Sequence, residues 1–457
     1  MTEKIKEAQQ TNEKRQEILT RIKEVLVRRL NLEITPDKID DDSPLFGMGL
    51  GLDSIDSLEL VVGIEEEFGI SVPSDKLEVF LSVNTVADFI LGVERLSSYE
   101  VKCDEQSLAR YPWLNAYKAL REGCLMYDTN PVILEIPEQE NALDFISWLV
   151  AGNDIVLEPN RAMVGLLLNE NGRILDIIDI LMFEEKFWFI LSPENKETLS
   201  WILSKAADKS ISINNVSETY HQVTCEGPYS WKLVKSFAGI EVTGLSYLHF
   251  MSCQWEGNPV LIYRAGRTNE YGFRMFLSPH IAEGFTAYLI NAVSEMFFLY
   301  EKNTTLIKNC LVTALQEVRF PSLNITIMPG SSPVPNEIRW MVNTRKKDFI
   351  GREAVLNDFS EFDTRIVAVV ALSNDEIDKE KFDGAEIFVD TEKIGDIVIS
   401  NYSPCLNRWF GYGEFKKEFG YVGNRNYSMV SKDGSVVPLI TVSTPLFLTK
   451  SAQTQME

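Results

Sequence analysis

Apolar residues recur at helical intervals near the start of the chain. Ile18, Ile22, Val25, Leu26 and Leu30 follow the i, i+3, i+4 pattern, the spacing that lines one face of a helix. The polar, highly charged residues 1–16 before them read as a frayed or extended helix start. A loop with Pro36, Asp40-Asp41-Asp42 and Pro44 follows, and a second helix begins at Ser54 with Leu58, Val61, Val62 and Phe68 available for a core. Val72-Pro73 ends that unit, and residues 85–91 form a last short helix, so the segment reads as a compact bundle. Residues 96–110 are polar and weakly periodic and read as a linker. Beyond them the texture becomes β-rich alternation mixed with helices, as in Val132-Ile133-Leu134-Glu135-Ile136 and Phe187-Trp188-Phe189-Ile190-Leu191. From Thr364 short strands at 366–372, 386–389, 396–400 and 439–442 alternate with turns, which predicts a small terminal barrel or sandwich.

Composition narrows the possibilities. A chain of 457 residues calls for two or three domains, and 45% hydrophobic with 11% aromatic residues is enough for folded cores. A net charge of −23 argues against nucleic acid as a partner and favours basic proteins and small ligands. Six scattered cysteines without a Cys-x-x-Cys pair suit free thiols in a reducing cytoplasm. The first residues, Met-Thr-Glu-Lys-Ile-Lys-Glu, lack an apolar signal core and no run is long enough to span a membrane, so a cytoplasmic protein without membrane partners is expected. With three histidines (His221, His249, His280) and no His-Glu-x-x-His motif, neither a metal site nor a serine triad is expected.

The most informative stretch is Leu50-Gly-Leu-Asp-Ser-Ile-Asp-Ser-Leu-Glu-Leu-Val-Val-Gly-Ile-Glu-Glu-Glu-Phe68. From Ile39 to Asp75 there is no Lys or Arg, while ten positions are Asp or Glu. Asp56 and Glu59 share an outward helix face, which attracts basic docking surfaces. As residues alone, Asp53-Ser54 also suits an ordinary helix N-cap behind the turn glycines Gly47, Gly49 and Gly51. Their spacing is not that of a dinucleotide fingerprint. Taken together, the acidic loop, the Asp-Ser-Ile step and the Glu-Glu-Glu-Phe-Gly-Ile ending resemble an acyl carrier protein over residues 18–93. The resemblance implies a four-helix carrier bundle at 1–95 whose Ser54 bears a 4′-phosphopantetheine arm ending in a thiol. It also implies a phosphopantetheinyl transferase as a partner, and acyl- or aminoacyl-loading and downstream biosynthetic enzymes that dock on the acidic helix.

The rest of the chain carries a second, more diffuse resemblance. Six segments, Ala119-Leu-Arg-Glu-Gly-Cys-Leu-Met-Tyr-Asp128, Asn171-Gly-Arg-Ile-Leu-Asp176, Glu226-Gly-Pro228, Tyr263-Arg-Ala-Gly-Arg-Thr-Asn-Glu-Tyr-Gly-Phe273, Asp348-Phe-Ile-Gly-Arg-Glu-Ala354 and Tyr402-Ser-Pro-Cys-Leu406, are similar to those of the glycine-cleavage T-protein (aminomethyltransferase) family, in the same order. The family implies an α/β folate-binding domain at 111–358 and a C-terminal β-barrel at 359–450. It also implies tetrahydrofolate as cofactor, and relatives take an aminomethyl group from a thiol on a lipoyl arm. By this resemblance Asp176 is the catalytic carboxylate that organises charge near the folate. An ordinary strand aspartate is the alternative, because Ile177 replaces the second aspartate of the family's pair. Glu270 matches the glutamate that binds the pterin ring. Arg319 matches a folate or substrate contact, although Val318-Arg319-Phe320-Pro321-Ser322 lacks the family's Leu-Glu-Ala-Gly. Tyr263, Arg264, Trp340 and Arg408 fit pocket or tail contacts. The Lys-Gly-Cys-x-x-Gly-Gln-Glu signature of the iron–sulfur-assembly branch is absent.

The expected function is one-carbon transfer between a phosphopantetheine-bound acyl or aminoacyl group and tetrahydrofolate. Two alternatives stand beside it: a folate-independent enzyme acting on the tethered group, and a non-catalytic module that presents it.

Overall fold

The computed structural model describes residues 2–46, 49–50, 52, 54–73, 76–153, 157–192, 195–292, 297–373, 382–431 and 434–457. The chain opens with one long helix, Glu3–Arg29, whose first turn is capped by the Thr2 hydroxyl accepting from the Ile5 amide. Its second half supplies Ile18, Leu19, Ile22, Val25 and Leu26 to the bundle core. Its first half is not frayed. Ile5 and Ala8 pack into the core of the C-terminal barrel, and Asn12 donates to the Tyr427 hydroxyl at 2.9 Å. The apolar spacing of residues 18–30 was legible, but the barrel that orders residues 3–16 lies 400 positions away in sequence.

The helices Ser54–Phe68 and Val83–Leu91 complete the bundle, with short 3-10 turns at Pro36–Lys38 and Leu77–Phe80. Ser82 and Thr85 form a reciprocal capping box at the start of the last helix. In the Ser54–Phe68 helix Leu60 and Ile64 are fully buried, with Val61 and Phe68 packed beside them. Leu58 and Val62 point to solvent, contrary to the sequence reading. Residues 96–110 are mostly exposed but are tied to the larger domain at two points. Val101 is buried in the central core, the Tyr99 amide donates to the Cys405 carbonyl at 2.7 Å, and Glu105–Arg110 is helical.

Two sheets pack face to face in the middle of the chain. The five-stranded antiparallel sheet runs Arg161–Leu168, Ile174–Met182, Lys186–Leu191, Val132–Pro137, Asn214–Asn215 in spatial order. The six-stranded sheet runs Phe298–Tyr300, Cys124–Thr129, His221–Glu226, Gly272–Leu277, Asn258–Arg264, Phe250–Trp255, with only the first pair parallel. Their inner faces meet through Leu181, Trp188, Ile190, Leu261, Tyr263 and Phe276. Helices Ala142–Leu149 and Lys196–Asp208 cover one outer face, and Ser230–Ala238 and Ala282–Asn291 the other. Helices Leu114–Glu122 and Thr304–Val318 share a core with the six-stranded sheet and the barrel.

The barrel is closed and antiparallel: Thr364–Ala371, Arg408–Lys416, Glu392–Ser403, Glu386–Val389, Tyr427–Val430 and Val436–Val442. Closure leaves none of these strands with an unpaired edge. Among the described residues no helix is long and apolar enough to cross a membrane.

Candidate functional site

Polar and charged side chains concentrate on the inner face of the six-stranded sheet. Strand side chains alternate between faces. In His221–Glu226, Val223 and Cys225 join the outer core, so Gln222, Thr224 and Glu226 turn inward and are buried. From the facing sheet comes Asp179, 1% exposed, in the otherwise apolar run Ile177-Ile178-Asp179-Ile180-Leu181. Its Oδ2 accepts from Arg274 at 2.5 Å and from Arg267 at 2.6 Å. Burial pushes the Asp179 carboxyl up, but the two guanidiniums outweigh it and hold it below the usual aspartate range.

A second cluster is joined to the first through Thr268. The Thr268 hydroxyl donates to Glu226 at 3.0 Å, and its carbonyl accepts from Arg121 at 2.7 Å. Arg121 also donates to Glu317 at 2.8 Å and Glu270 at 3.3 Å. Thr268 and Glu270 sit on the loop between Arg264 and Gly272, which doubles back so tightly that a Cβ on Gly272 would lie 2.5 Å from the Gly266 Cα. Glu226 differs from the other acids. Its carboxylate is bonded only by the hydroxyls of Thr268 and of Tyr127 at 3.4 Å, and burial raises its pKa. Among the described residues the Tyr263 hydroxyl and Gln222 Oε1 are buried without a hydrogen-bond partner, and such atoms inside a protein call for a ligand or water.

The expected site residues are distributed unevenly around this interior. Tyr263 lies within it, with the Arg274 guanidinium 5.8 Å over its ring. Glu270 borders it, but both its oxygens are engaged. Oε1 accepts from Arg121, and Oε2 accepts from the Ser451 amide at 3.0 Å and hydroxyl at 2.6 Å. Asp176 faces the other way. Its strand neighbours Ile178 and Ile180 belong to the outer core, and its carboxylate accepts from Asn195 at 2.7 Å and from the Ile177 amide at 2.8 Å. It thereby anchors the start of helix Lys196–Asp208. Arg264 donates to the Leu245 carbonyl at 2.5 Å.

Arg408 lines a separate cleft of about 640 Å³ with Lys102, Arg110 and the stacked rings of Tyr111 and Tyr402. A neighbouring cleft of about 390 Å³ shares Tyr99 and Glu100 with it and reaches Arg121 and Glu270. Sequence reasoning did not single out Arg121, Asp179, Glu226, Arg267 or Arg274 as site residues. The available signal was a charge inside an apolar strand, which folding tolerates only with a partner.

Arg319 is used to hold the carrier bundle in place. It ends helix Thr304–Val318 in the left-handed conformation, φ 53°, and donates to Asp42 at 2.7 Å and to the Ile366 carbonyl at 2.6 Å. Asp40 and Asp41 make the same kind of contact with Arg339 and Arg365, and Arg365 also donates to Glu337 at 2.7 Å. Deeper in the interface Arg15 donates to Asp88 at 2.6 Å, and Asp88 in turn accepts from Ser443 at 2.5 Å. Asp40 and Asp41 are buried, and the Asp42 side chain is 4% exposed. A desolvated pair of this kind contributes little net stability when intact, but losing one partner costs about 3–5 kcal/mol.

Ser54 opens its helix; Asp53, Gly47 and Gly51 lie outside the described residues. Leu58 and Val62, with Glu59 between them, remain exposed on the helix surface.

Comparison with known proteins agrees with this division of the molecule. A family model for the phosphopantetheine attachment site matches residues 20–90, and one for the GCVT N-terminal domain matches residues 86–298. An aminomethyltransferase of Clostridium botulinum (strain Loch Maree / Type A3) is 23% identical over 318 residues, covering 68% of this chain and 83% of its own. One from Lysinibacillus sphaericus is 21% identical over 334 residues, covering 72% and 88%. The crystal structure of glycine cleavage system aminomethyltransferase T from Bartonella henselae superposes with a TM-score of 0.61 at 16% identity, over 74% of this chain and 90% of that one. Fold and matches together define a carrier domain joined to an aminomethyltransferase-like domain. This chain is a fusion of a phosphopantetheine-attachment domain with a T-protein-type, aminomethyltransferase-like fold that ends in a closed six-stranded barrel.

Proposed function

We propose that the protein transfers a one-carbon unit between an acyl or aminoacyl group tethered to Ser54 and tetrahydrofolate. The observation that carries this reading is the buried polar interior between the two sheets, next to a docked carrier. The residues present suit a reduced pterin. Its aminopyrimidine edge offers paired N–H donors, and Glu226 and the unpartnered Gln222 Oε1 are acceptors on one strand face. The Tyr263 hydroxyl supplies a free donor beside them. Folate supplies the one-carbon chemistry at its amine nitrogens when bound. The chain orients the ring, excludes water and sets the local charge. Asp179, fixed in its ionised form by Arg267 and Arg274, turns between the sheets and is better placed than Asp176 to orient a one-carbon donor there. The cleft lined by Lys102, Arg110 and Arg408 suits the anionic folate tail.

On the carrier, a phosphopantetheinyl transferase would place the arm on Ser54. Loading and downstream enzymes would dock on the exposed Leu58, Glu59 and Val62. A second reading has its own support. Asp176 and Glu270, the two positions carried over from the family, are both committed to protein partners, which favours a folate-independent reaction on the tethered group. Intact-mass analysis of the loaded holo-protein with folate forms added tests both. A one-carbon change on the arm that requires folate supports the first reading. A change without folate, with no folate binding by calorimetry, supports the second.

A further inference from the structure

The loop between Gly266 and Gly272 borders two clefts that share no lining residue. Glu270 lines the cleft that also holds Arg121 and adjoins Arg408's cleft. Asn269, the preceding residue, lines a cleft of about 200 Å³ whose other walls are Asp42 and Phe46 of the carrier and Val318, Arg319 and Trp340 of the larger domain. This second cleft exists only because the carrier is docked, and the Asp42–Arg319 ion pair is part of its wall.

The cleft also begins beside the attachment point. Phe46 forms a β-bridge with Leu52, and Leu52 is two residues from Ser54, at most about 7 Å along extended backbone. A phosphopantetheine arm has a backbone comparable to four or five residues, about 15 Å when extended. The walls suit it, because Phe46 and Leu81 offer apolar surface for its methylene segments and Asn269 a side-chain amide for its amides. At the far side Asn269 is followed by Glu270 and preceded by Thr268, the residue that joins the two buried charge clusters.

We propose that the Ser54 arm serves its own chain. It enters the interior through the Phe46–Asn269 cleft while the carrier stays docked, and folate approaches from the Glu270 side. The one loop then separates two substrates arriving by different routes. This rests on the reading of Ser54 as the phosphopantetheine site, so the two are tested in sequence. Treatment with a phosphopantetheinyl transferase and coenzyme A first establishes the arm by intact mass. Absence of the mass gain removes the carrier reading and this route with it.

With the arm in place, Val318→Cys puts a thiol on the cleft wall. Mild oxidation with oxidised glutathione is expected to give an intrachain disulfide between that thiol and the arm, monomeric on a non-reducing gel and absent in Ser54→Ala. Trp340→Cys provides a second position on the same wall. Gln106→Cys, in the Arg408 cleft, is expected to stay unlinked. A mass gain with linkage only between chains, or linkage at position 106 but not at 318 or 340, overturns the proposal. A mixture of holo-Asp179→Asn with Ser54→Ala is expected to show no transfer above either alone, and transfer by the mixture overturns it as well.

Discussion

Three positions separate Asp176 from Asp179, and strand alternation sends their carboxylates to opposite faces of Ile174–Met182. One meets a helix start; the other meets two arginines between the sheets. Asp179→Asn is expected to abolish most transfer and to cost up to about 3–5 kcal/mol, because it leaves the largely covered Arg267 and Arg274 without their carboxylate. The pH dependence has a definite sign. Asp179 titrates lower folded than unfolded, so its contribution is complete above the unfolded value of about 3.9 and is lost as pH falls through the folded value. Denaturant titrations across the acid range should show the wild type losing more stability than the variant.

Glu226 behaves oppositely. Burial raises its pKa, so charging it as pH rises destabilises the fold. Glu226→Gln is expected to be neutral or stabilising by thermal unfolding at neutral pH, yet to weaken folate binding at least tenfold by calorimetry. At this scale the sequence exposed the apolar strand and its two acids. It did not show which acid turns between the sheets, because the arginine partners of Asp179 lie some 90 residues on.

Elements show a different limit. The Ser54–Phe68 helix offers two apolar stripes at helical spacing, one through Leu60 and Ile64 and one through Leu58 and Val62. Periodicity alone does not rank them, and only packing against Glu3–Arg29 decides which is buried. The acidic loop is similar. Ten acids fall between Ile39 and Asp75 with no Lys or Arg among them, yet Asp40, Asp41 and Asp42 turn inward onto arginines 277 to 324 positions away. Arg365→Ala removes a cation shared by Asp41 and Glu337 and is expected to destabilise by about 3–5 kcal/mol in chemical denaturation. A double-mutant cycle with Asp41→Ala should return a coupling of at least 1 kcal/mol, in the range seen for contacting residues.

For the whole molecule the sequence conveyed the order of parts, the terminal barrel and the carrier at the front. It gave no sign that carrier and barrel are clamped together. The clamp consists of single residues far apart in sequence, Asn12 to Tyr427 and Arg15 through Asp88 to Ser443, and no local pattern encodes such pairs. Bundle and barrel are therefore expected to unfold as one transition in scanning calorimetry. The combined change Asp40→Asn, Asp41→Asn and Asp42→Asn should split it into two. Cleavage by trypsin within residues 96–110 should stay slow in both, since Val101 and Tyr99 tie that segment to the larger domain and not to the carrier.

The helix Glu3–Arg29 is about 40 Å long at the usual rise per residue. One end lies in the barrel core and the other in the bundle core. Its length thus fixes a rotational phase between the two ends. One residue inserted after Gln16 would turn Ile5 and Ala8 by about 100° relative to Ile22 and Leu26, so that one set must leave its core. Seven inserted residues nearly restore the angle, but they slide the bundle about 10 Å along the axis and carry Asp42 away from Arg319. The number of residues in this helix therefore sets both the angle and the distance at which Ser54 is held to the rest of the protein.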